Sequence, residues 1–557
     1  MRAAWCGRRC TEREQGPRRV RGLALLLALG SAIAVPAWDS RGSDGPPPEG
    51  RSADGARAGL ARDGPFDSST VVGLARALAR APFVATTAQL PGGLANLQYD
   101  QYRDIRVRPS ATIWERSSHT FRLQLLPLGY LFTTPVEIAI VKDGSAQHLP
   151  YRADMFTVGK LVPAPLPTQD IGFSGFRLLY PINDRRRFDE VAVFQGATYF
   201  RSLGRDQGYG LSARGLALNV GHPAGEEFPV FRAFWIEEPR PKSSTVTLHA
   251  LLDSPSVTGA YRFEIRPGPS TVMLVDAVLF PRVELRDVGI APGTSMFMFS
   301  TNDRSGVDDF RPQVHDSDGL LVFNGRGEHL WRPLGNPARL QISAFVDQDP
   351  RGFGLVQRDR NVADYQDLEA HFERRPSLWV EPRGDWGEGD VVLTEIPTDA
   401  EIHDNIVTFW RPRKPIAAGS EFHVSYRLVW GDEPEASRDR QRVISTALGR
   451  ADVKAPTPVR LFVVDYSPEG QQCAMAARIR SAAEKRSYVV PRAPDAVVTS
   501  SAGKVRDVVV SDNPLTGGYR VSFTLDPETA ELCELRLELT PEGSRCAEIW
   551  LNRWTKR

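Results

Sequence analysis

Leu248-His249-Ala250-Leu251-Leu252-Asp253-Ser254-Pro255-Ser256-Val257-Thr258-Gly259-Ala260-Tyr261-Arg262-Phe263-Glu264-Ile265 decides the fold class of this 557-residue chain. Leu248, Ala250 and Leu252, then Tyr261, Phe263 and Ile265, recur at every second position, the period of a strand whose successive side chains point to opposite faces. Turn dipeptides recur at short spacing across residues 95–430, so the pattern predicts antiparallel β-structure throughout. About 330 such residues without an obvious break exceed a seven-strand sandwich. The expected architecture is therefore all-β, with one large multi-stranded antiparallel β-sandwich over residues 65–430.

Two helices interrupt the pattern. Residues 70–80 place Val71, Leu74 and Leu78 on one face, with Asp67 or Ser68 as the cap and Pro82 as the stop. Residues 364–373 place Tyr365, Leu368 and Phe372 on one face before Pro376. Composition shifts at Gly431-Asp432-Glu433-Pro434-Glu435-Ala436-Ser437, which reads as the start of a linker over residues 431–455. Residues 456–557 alternate again at Leu461 and Val463, at Val521, Phe523 and Leu525, and at Leu535, Leu537 and Leu539. About 100 residues of that pattern predict a smaller immunoglobulin-like β-sandwich, without the Cys, Trp, Cys spacing of true immunoglobulin domains.

The N-terminus sets the compartment. Arg18-Arg19-Val20-Arg21 precedes the apolar run from Leu23 to Val35, with Ala32-Ile33-Ala34 as the cleavage candidate, so residues 1–34 read as a signal peptide. The arginine pair suggests twin-arginine export, with the Sec route still open. Residues 35–64, rich in Gly, Pro, Ser, Asp and Arg, read as a disordered linker. The leader carries seven Arg and two Glu, so its removal changes the net charge from +1 to −4, which argues against nucleic acid as a partner. No segment offers about 20 uninterrupted apolar residues, so the mature chain is expected in the periplasm and not embedded in a membrane. Of five cysteines, Cys473, Cys533 and Cys546 survive cleavage, which allows one disulfide of unspecified pairing.

Two acidic stretches carry the chemistry: Arg311-Pro312-Gln313-Val314-His315-Asp316-Ser317-Asp318-Gly319 and Glu401-Ile402-His403-Asp404-Asn405-Ile406. Each sets a carboxylate beside a histidine at a loop-to-strand junction. Two positioned carboxylates are what glycoside hydrolysis needs, one to protonate the leaving oxygen and one to activate water. The bland alternative is that each Asp caps a turn through its own side chain. Histidine with carboxylates also suits a divalent ion, but nine scattered histidines and no His-Glu-x-x-His leave metal unexpected. Gly210-Leu211-Ser212-Ala213-Arg214-Gly215 has one residue too many for a nucleophile elbow, and no Walker-type lysine accompanies Gly384, Gly387 and Gly389. No cofactor is expected.

Together with Phe173-Ser174-Gly175-Phe176-Arg177, Tyr199-Phe200-Arg201-Ser202-Leu203-Gly204 and Tyr209-Gly210-Leu211-Ser212-Ala213-Arg214-Gly215, these stretches resemble the periplasmic glucan biosynthesis family of OpgG and OpgD. The resemblance spans roughly residues 66–550. The leader and Pro376-Ser377-Leu378-Trp379-Val380-Glu381-Pro382 lean toward OpgD. It implies a β-1,2-linked glucan as the ligand, an inverting endo-β-1,2-glucanase chemistry with Asp404 as general acid and Asp316 as general base, and proton transfer through a water chain. Around them Arg311, His315, Asp318 and Glu401 form the candidate substrate-binding set, with Trp379 and Trp386 as candidate stacking faces. In extended chain Asp316 and Asp318 would share a face and repel, whereas Glu401 would point away from Asp404. Phe372 departs from the tyrosine that relatives tend to carry there, which removes a hydroxyl from the implied proton path. A non-catalytic glucan-binding scaffold is the competing reading, and the resemblance leaves open a homodimer and association with the glucan synthesis machinery.

Overall fold

The computed structural model describes residues 59–556 except 87–89, 91, 164, 439, 455–456, 469, 471–493 and 541–545. The expected leader, most of the expected tether and Cys473 lie outside the described residues. The last part of that tether is packed: Ala61 is buried and its N–H donates to Glu137 Oε2 at 2.8 Å. No helix among the described residues is long and apolar enough to cross a membrane.

The stretch from Leu248 to Ile265 forms the hairpin of Val246–Asp253 and Val257–Arg266, with Leu248 opposite Phe263. It lies in a fifteen-stranded sheet that continues through Thr271–Pro281, Phe422–Gly431, Ser377–Arg383, Gly352–Val356 and Gly319–Phe323. A ten-stranded sheet packs against it and includes Arg187–Gln195, Tyr199–Ser202, Ser212–Arg214, Val288–Ser295 and Ile406–Pro412. The alternating residues Leu248, Ala250, Leu252, Tyr261, Phe263 and Ile265 all face the core between the sheets. There the Phe263 ring meets those of Phe194 and Phe200, each at 5.3 Å between centroids.

Leu251 breaks the alternation yet is buried, because the opposite face of the hairpin is also covered. Helix Ser68–Ala79 lies on it, and Val71 and Ala75 join Leu251, Ala260 and Phe280 in a separate apolar layer. Burying a side chain such as Val71 contributes about 1.5–3 kcal/mol. The helix starts two residues before the expected Thr70, and of the two cap candidates Asp67 takes the role, accepting from the Ser69 and Thr70 N–H groups, a cap worth about 1 kcal/mol.

The second expected helix does not run. Val362–Tyr365 is α-helical and Phe372–Arg374 is a single 3₁₀ turn, while Gln366 (φ 56°) and His371 (φ 48°) occupy the left-handed region. A residue in that conformation stops helix propagation, so the apolar spacing there marks a folded loop instead.

Within the expected linker, Val443–Arg450 is a strand that pairs with Arg460–Tyr466. These two strands, with Gly518–Asp526 and Lys504–Asn513, make a four-stranded sheet. It packs on Asp495–Ser500, Leu532–Thr540 and Ile549–Thr555, which extend the fifteen-stranded sheet through parallel pairing of Leu330 with Ile549 and Trp331 with Trp550. Val521, Phe523, Leu525, Leu535, Leu537 and Leu539 face this second core as expected. The parity of Arg460–Tyr466 is opposite to the reading, since Phe462 and Val464 point inward, Phe462 stacking on Phe523 at 5.1 Å, whereas Leu461 and Val463 are half-exposed. Cys533 is a buried free thiol and Cys546 is disulfide-bonded.

Candidate active site

Asp316 and Asp404 reach one place through Ser295-Met296-Phe297. The strand Val288–Ser295 pairs with Ile406–Pro412, Ser295 lying opposite Ile406. Just beyond it the Asp316 N–H donates to Met296 O at 2.8 Å, and Phe297 pairs with His315. Asn405 clamps the same residue from the other side: its Oδ1 accepts from the Phe297 N–H at 2.8 Å, and its Nδ2 donates to Phe297 O and Ile396 O, each at 3.0 Å. The Ser295 and Ser317 hydroxyls share a hydrogen bond of 2.9 Å. Buried backbone pairing, not a surface loop, therefore fixes where the two carboxylates sit.

Both side chains are nearly inaccessible, Asp316 at 1% exposure and Asp404 at 3%. Buried charge requires counter-charge. Arg375 Nη1 pairs with Asp316 Oδ1, and Arg201 Nη2 lies 3.7 Å from Asp404 Oδ2. Burial pushes the Asp316 carboxyl above its ordinary value, the Arg375 guanidinium opposes that, and the Asp404 charge adds to it, so the two aspartates sense each other. Arg375 is held in turn by the Phe372 ring, 4.1 Å below its guanidinium, and by Gly210, where a Cβ would meet Arg375 Cβ at 2.9 Å. Arg201 Nε donates to Ser212 Oγ at 2.6 Å. Tyr199, beneath the Arg214 guanidinium at 4.7 Å, is pushed well above its ordinary value first by burial, with Arg214 opposing and Asp404 adding, and so presents a protonated hydroxyl.

Arg311 does not face this cluster. Its guanidinium ties three loop segments together, meeting Asp309 at 2.8 Å, Asp367 at 3.0 Å and Glu401 at 2.9 Å. Each segment also carries an exposed apolar side chain: Phe310, Leu368 and Ile402. Residues 398–404 form a turn, not an extended strand, held by hydrogen bonds between Asn336 and Thr398. Glu401 consequently points to Arg311 while Asp404 is buried.

His315 and Asp318 belong to a different cluster. The chain bends at residues 316–318, so Asp316 turns to Arg375 and Asp318 turns to His315 and Asp359; the shared face expected for Asp316 and Asp318 does not form. His315 Nδ1 lies 3.0 Å from Gln357 Oε1, and its ring stacks on Phe297 at 5.5 Å. Burial lowers His315 to about 4 and raises Asp318 to about 6 and Asp359 to about 7.

Trp379 is buried in the core shared with the C-terminal strands, together with Trp331. Trp386 is half-buried, packs 6.2 Å from both Trp410 and Tyr426, and donates its Nε1–H to Ser425 O at 3.3 Å. Core packing occupies these rings. Arg201, Arg375, Tyr199 and Asn405 are the neighbours that sequence reasoning assigned no role. For Tyr199 and Arg201 the signal was present in the motif at residues 199–204, and for Asn405 in the stretch at residues 401–406, whereas Arg375 lies in no motif.

A family model described as periplasmic glucan biosynthesis protein, MdoG, matches residues 66–554. The chain belongs to this family. A glucans biosynthesis protein G from Vibrio cholerae is 56% identical over 496 residues, covering 89% of this chain and 88% of that relative. A protein of the same name from Shewanella frigidimarina is 56% identical over 497 residues, covering 89% and 86%. These matches leave the OpgG and OpgD branches undistinguished. A solved α-galactosidase from Geobacillus stearothermophilus overlaps 47% of this chain and 40% of its own at a TM-score of 0.25 and 9% identity, too slight a likeness to carry an argument. Family membership gives the Asp316 and Asp404 cluster a context in glucan metabolism.

Proposed function

We propose that this family member is exported to the periplasm and acts there on osmoregulated periplasmic glucans as an inverting endo-β-1,2-glucanase. Asp404 protonates the leaving glycosidic oxygen, and Asp316 draws the proton from the attacking water. The observation that supports this reading is the convergence of two carboxylates, 88 residues apart, on one buried cluster with Arg201 and Arg375. The Arg375 guanidinium opposes the burial that raises Asp316 and so supports Asp316 as the base, which leaves Asp404, with Arg201 Nη2 3.7 Å away, as the acid. Both side chains are covered in this conformation, so sugar entry requires covering segments to part, and the loops tied by Arg311 at Asp309, Asp367 and Glu401 are the proposed ones.

Phe372 favours the competing reading, a glucan-binding scaffold for backbone synthesis or substitution, since it lies under Arg375 as a plain hydrocarbon ring, without the hydroxyl of the implied proton path. Incubating the mature protein with linear β-1,2-glucan separates the two. New reducing ends are expected from the wild type, with a loss of about 10²–10⁴-fold in Asp404→Asn at unchanged glucan affinity and melting temperature. Glucan binding without any new reducing ends would establish the scaffold instead. Full hydrolysis by Asp404→Asn would overturn the assignment of the acid. A homodimer and an association with the synthesis machinery are compatible with either role.

A further inference from the structure

His315, Asp318 and Asp359 each offer one ligand atom, and these atoms lie within 4.8 Å of one another. The tautomer of His315 is set by its neighbour. Gln357 Nε2 donates to His315 O at 3.0 Å and to Phe372 O at 3.2 Å, which turns its Oε1 toward His315 Nδ1 and makes Nδ1–H the donor. The lone pair then resides on Nε2. That atom is fully buried and has no hydrogen-bond partner among the described residues, with Asp318 Oδ1 3.4 Å away. Two acceptors facing each other at that distance repel unless positive charge lies between them.

The carboxylates are prepared in the same manner. Asp318 Oδ2 accepts from the N–H groups of Arg358 and Asp359, leaving Oδ1 toward His315. Asp359 Oδ2 accepts from Gln313 Nε2 at 2.6 Å, and Gln313 is itself held by Ser300. Among the described residues neither carboxylate is ion-paired with a lysine or arginine. The nearby Arg358 guanidinium is spent on Glu548 at 2.7 Å and Glu433 at 3.4 Å, and that of Arg360 reaches the carbonyls of Glu373, Arg375 and Asp432. Two half-buried carboxylates, without a lysine or arginine ion pair among the described residues, and a buried imidazole lone pair converge on one point, each ligand oriented by an outer hydrogen bond as metal-binding side chains are.

We propose that His315 Nε2, Asp318 and Asp359 bind a divalent transition-metal cation of the zinc or manganese class, which cross-links the turn carrying Asp316 to the segment at residues 357–359. One imidazole with two carboxylates suits these ions better than calcium, which takes an all-oxygen shell. The ion is held by residues that flank Asp316 in sequence, while Asp316 itself pairs with Arg375. Its role is positional, and it stands whether or not the chain cleaves glucan.

The test strips the full mature protein with chelator, adds Zn²⁺ or Mn²⁺, and measures retained metal per chain after gel filtration. One equivalent is expected in the wild type, with a rise in melting temperature. Asp359→Asn should lose it, and Gln357→Leu, which spares every ligand, should weaken retention about 10–100-fold. The exposed His423→Gln serves as the control that changes nothing. Crystals of the wild type grown with Zn²⁺ decide independently of any variant's folding. An anomalous peak among the three side chains supports the site. Absence of a peak there, or equal retention by wild type and Asp359→Asn, overturns it and leaves the cluster neutralised by protons.

Discussion

Replacing Arg375 with methionine keeps much of the side-chain volume over Phe372 and strips the cation from Asp316, a carboxylate at 1% exposure. Removing one partner of a buried ion pair costs about 3–5 kcal/mol, because the remaining charge is left uncompensated. Losing the cation over the Phe372 ring adds about 1 kcal/mol. Arg201 also lowers Asp316 and recovers part of that loss, so the expected destabilisation is about 3–4 kcal/mol. Asp316→Asn strands Arg375 instead and should cost about 2–3 kcal/mol. The double variant removes both charges, so its loss should fall short of the sum of the singles by at least about 2 kcal/mol. Equilibrium urea unfolding of the four proteins, followed by tryptophan fluorescence, measures this coupling. Additivity within about 0.5 kcal/mol would refute the pairing on which the geometry of the base depends.

Two further outcomes follow from the same cluster and from the loops tied by Arg311. Phe372→Tyr restores a hydroxyl beside Arg375 and Tyr365, and in a glucanase it is expected to raise kcat about tenfold with little change in KM, by the usual reach of an added proton-transfer group; an unchanged kcat would remove Phe372 from the proton path. Asp309 is held below the usual carboxylate range, chiefly by its hydrogen bond from Arg311. Its folded pKa is thus the lower one, so its contribution to the tied loops is present above the unfolded value near ~3.9 and fades as the pH falls through the depressed value. Amide exchange in residues 301–311, corrected for intrinsic rates, should be flat from neutral pH down to about 5 and faster below about 4. Loosening already near neutral pH would contradict the clasp.

The sheet was legible where one physical signal acted alone. Alternation at Leu248–Ile265 gave the hairpin and its inward face, and the pair Asp67 and Ser68 marked the start of the first helix to within two residues. It failed where the signal was shared by another structure. The spacing of Tyr365, Leu368 and Phe372 fits a helix and equally a loop that buries two of the three side chains, and only the left-handed Gln366 and His371 decide between them. At Leu461-Phe462-Val463-Val464 every residue is apolar, so parity had no polar reference and the inward set was misread.

The site was half legible for a related reason. Asp316 and Asp404 stood out as carboxylates in unusual motifs, but the groups that set their chemistry lie far off in the chain and become visible only through pairing. Arg201 sits in a motif but reads there as an ordinary strand arginine, and Arg375, just before Pro376, carries no signal at all. Asp359 has no motif around it, so the third ligand beside His315 and Asp318 was invisible. Arg311 was read as a substrate contact because an arginine in an acidic motif suggests one, whereas in the fold three carboxylates of the tied loops consume it.

The claim on which the rest depends is that a glucan linkage comes to lie between residues 404 and 316. A crystal structure of Asp404→Asn with a linear β-1,2-linked glucooligosaccharide tests it without requiring turnover. The expected result is parted loops, a glycosidic oxygen within hydrogen-bond reach of the substituted side chain at position 404, directly or through one ordered water, and a water chain from the anomeric carbon to Asp316. Sugar bound elsewhere, with Arg311 still clasping Asp309, Asp367 and Glu401 over an untouched cluster, would contradict the account.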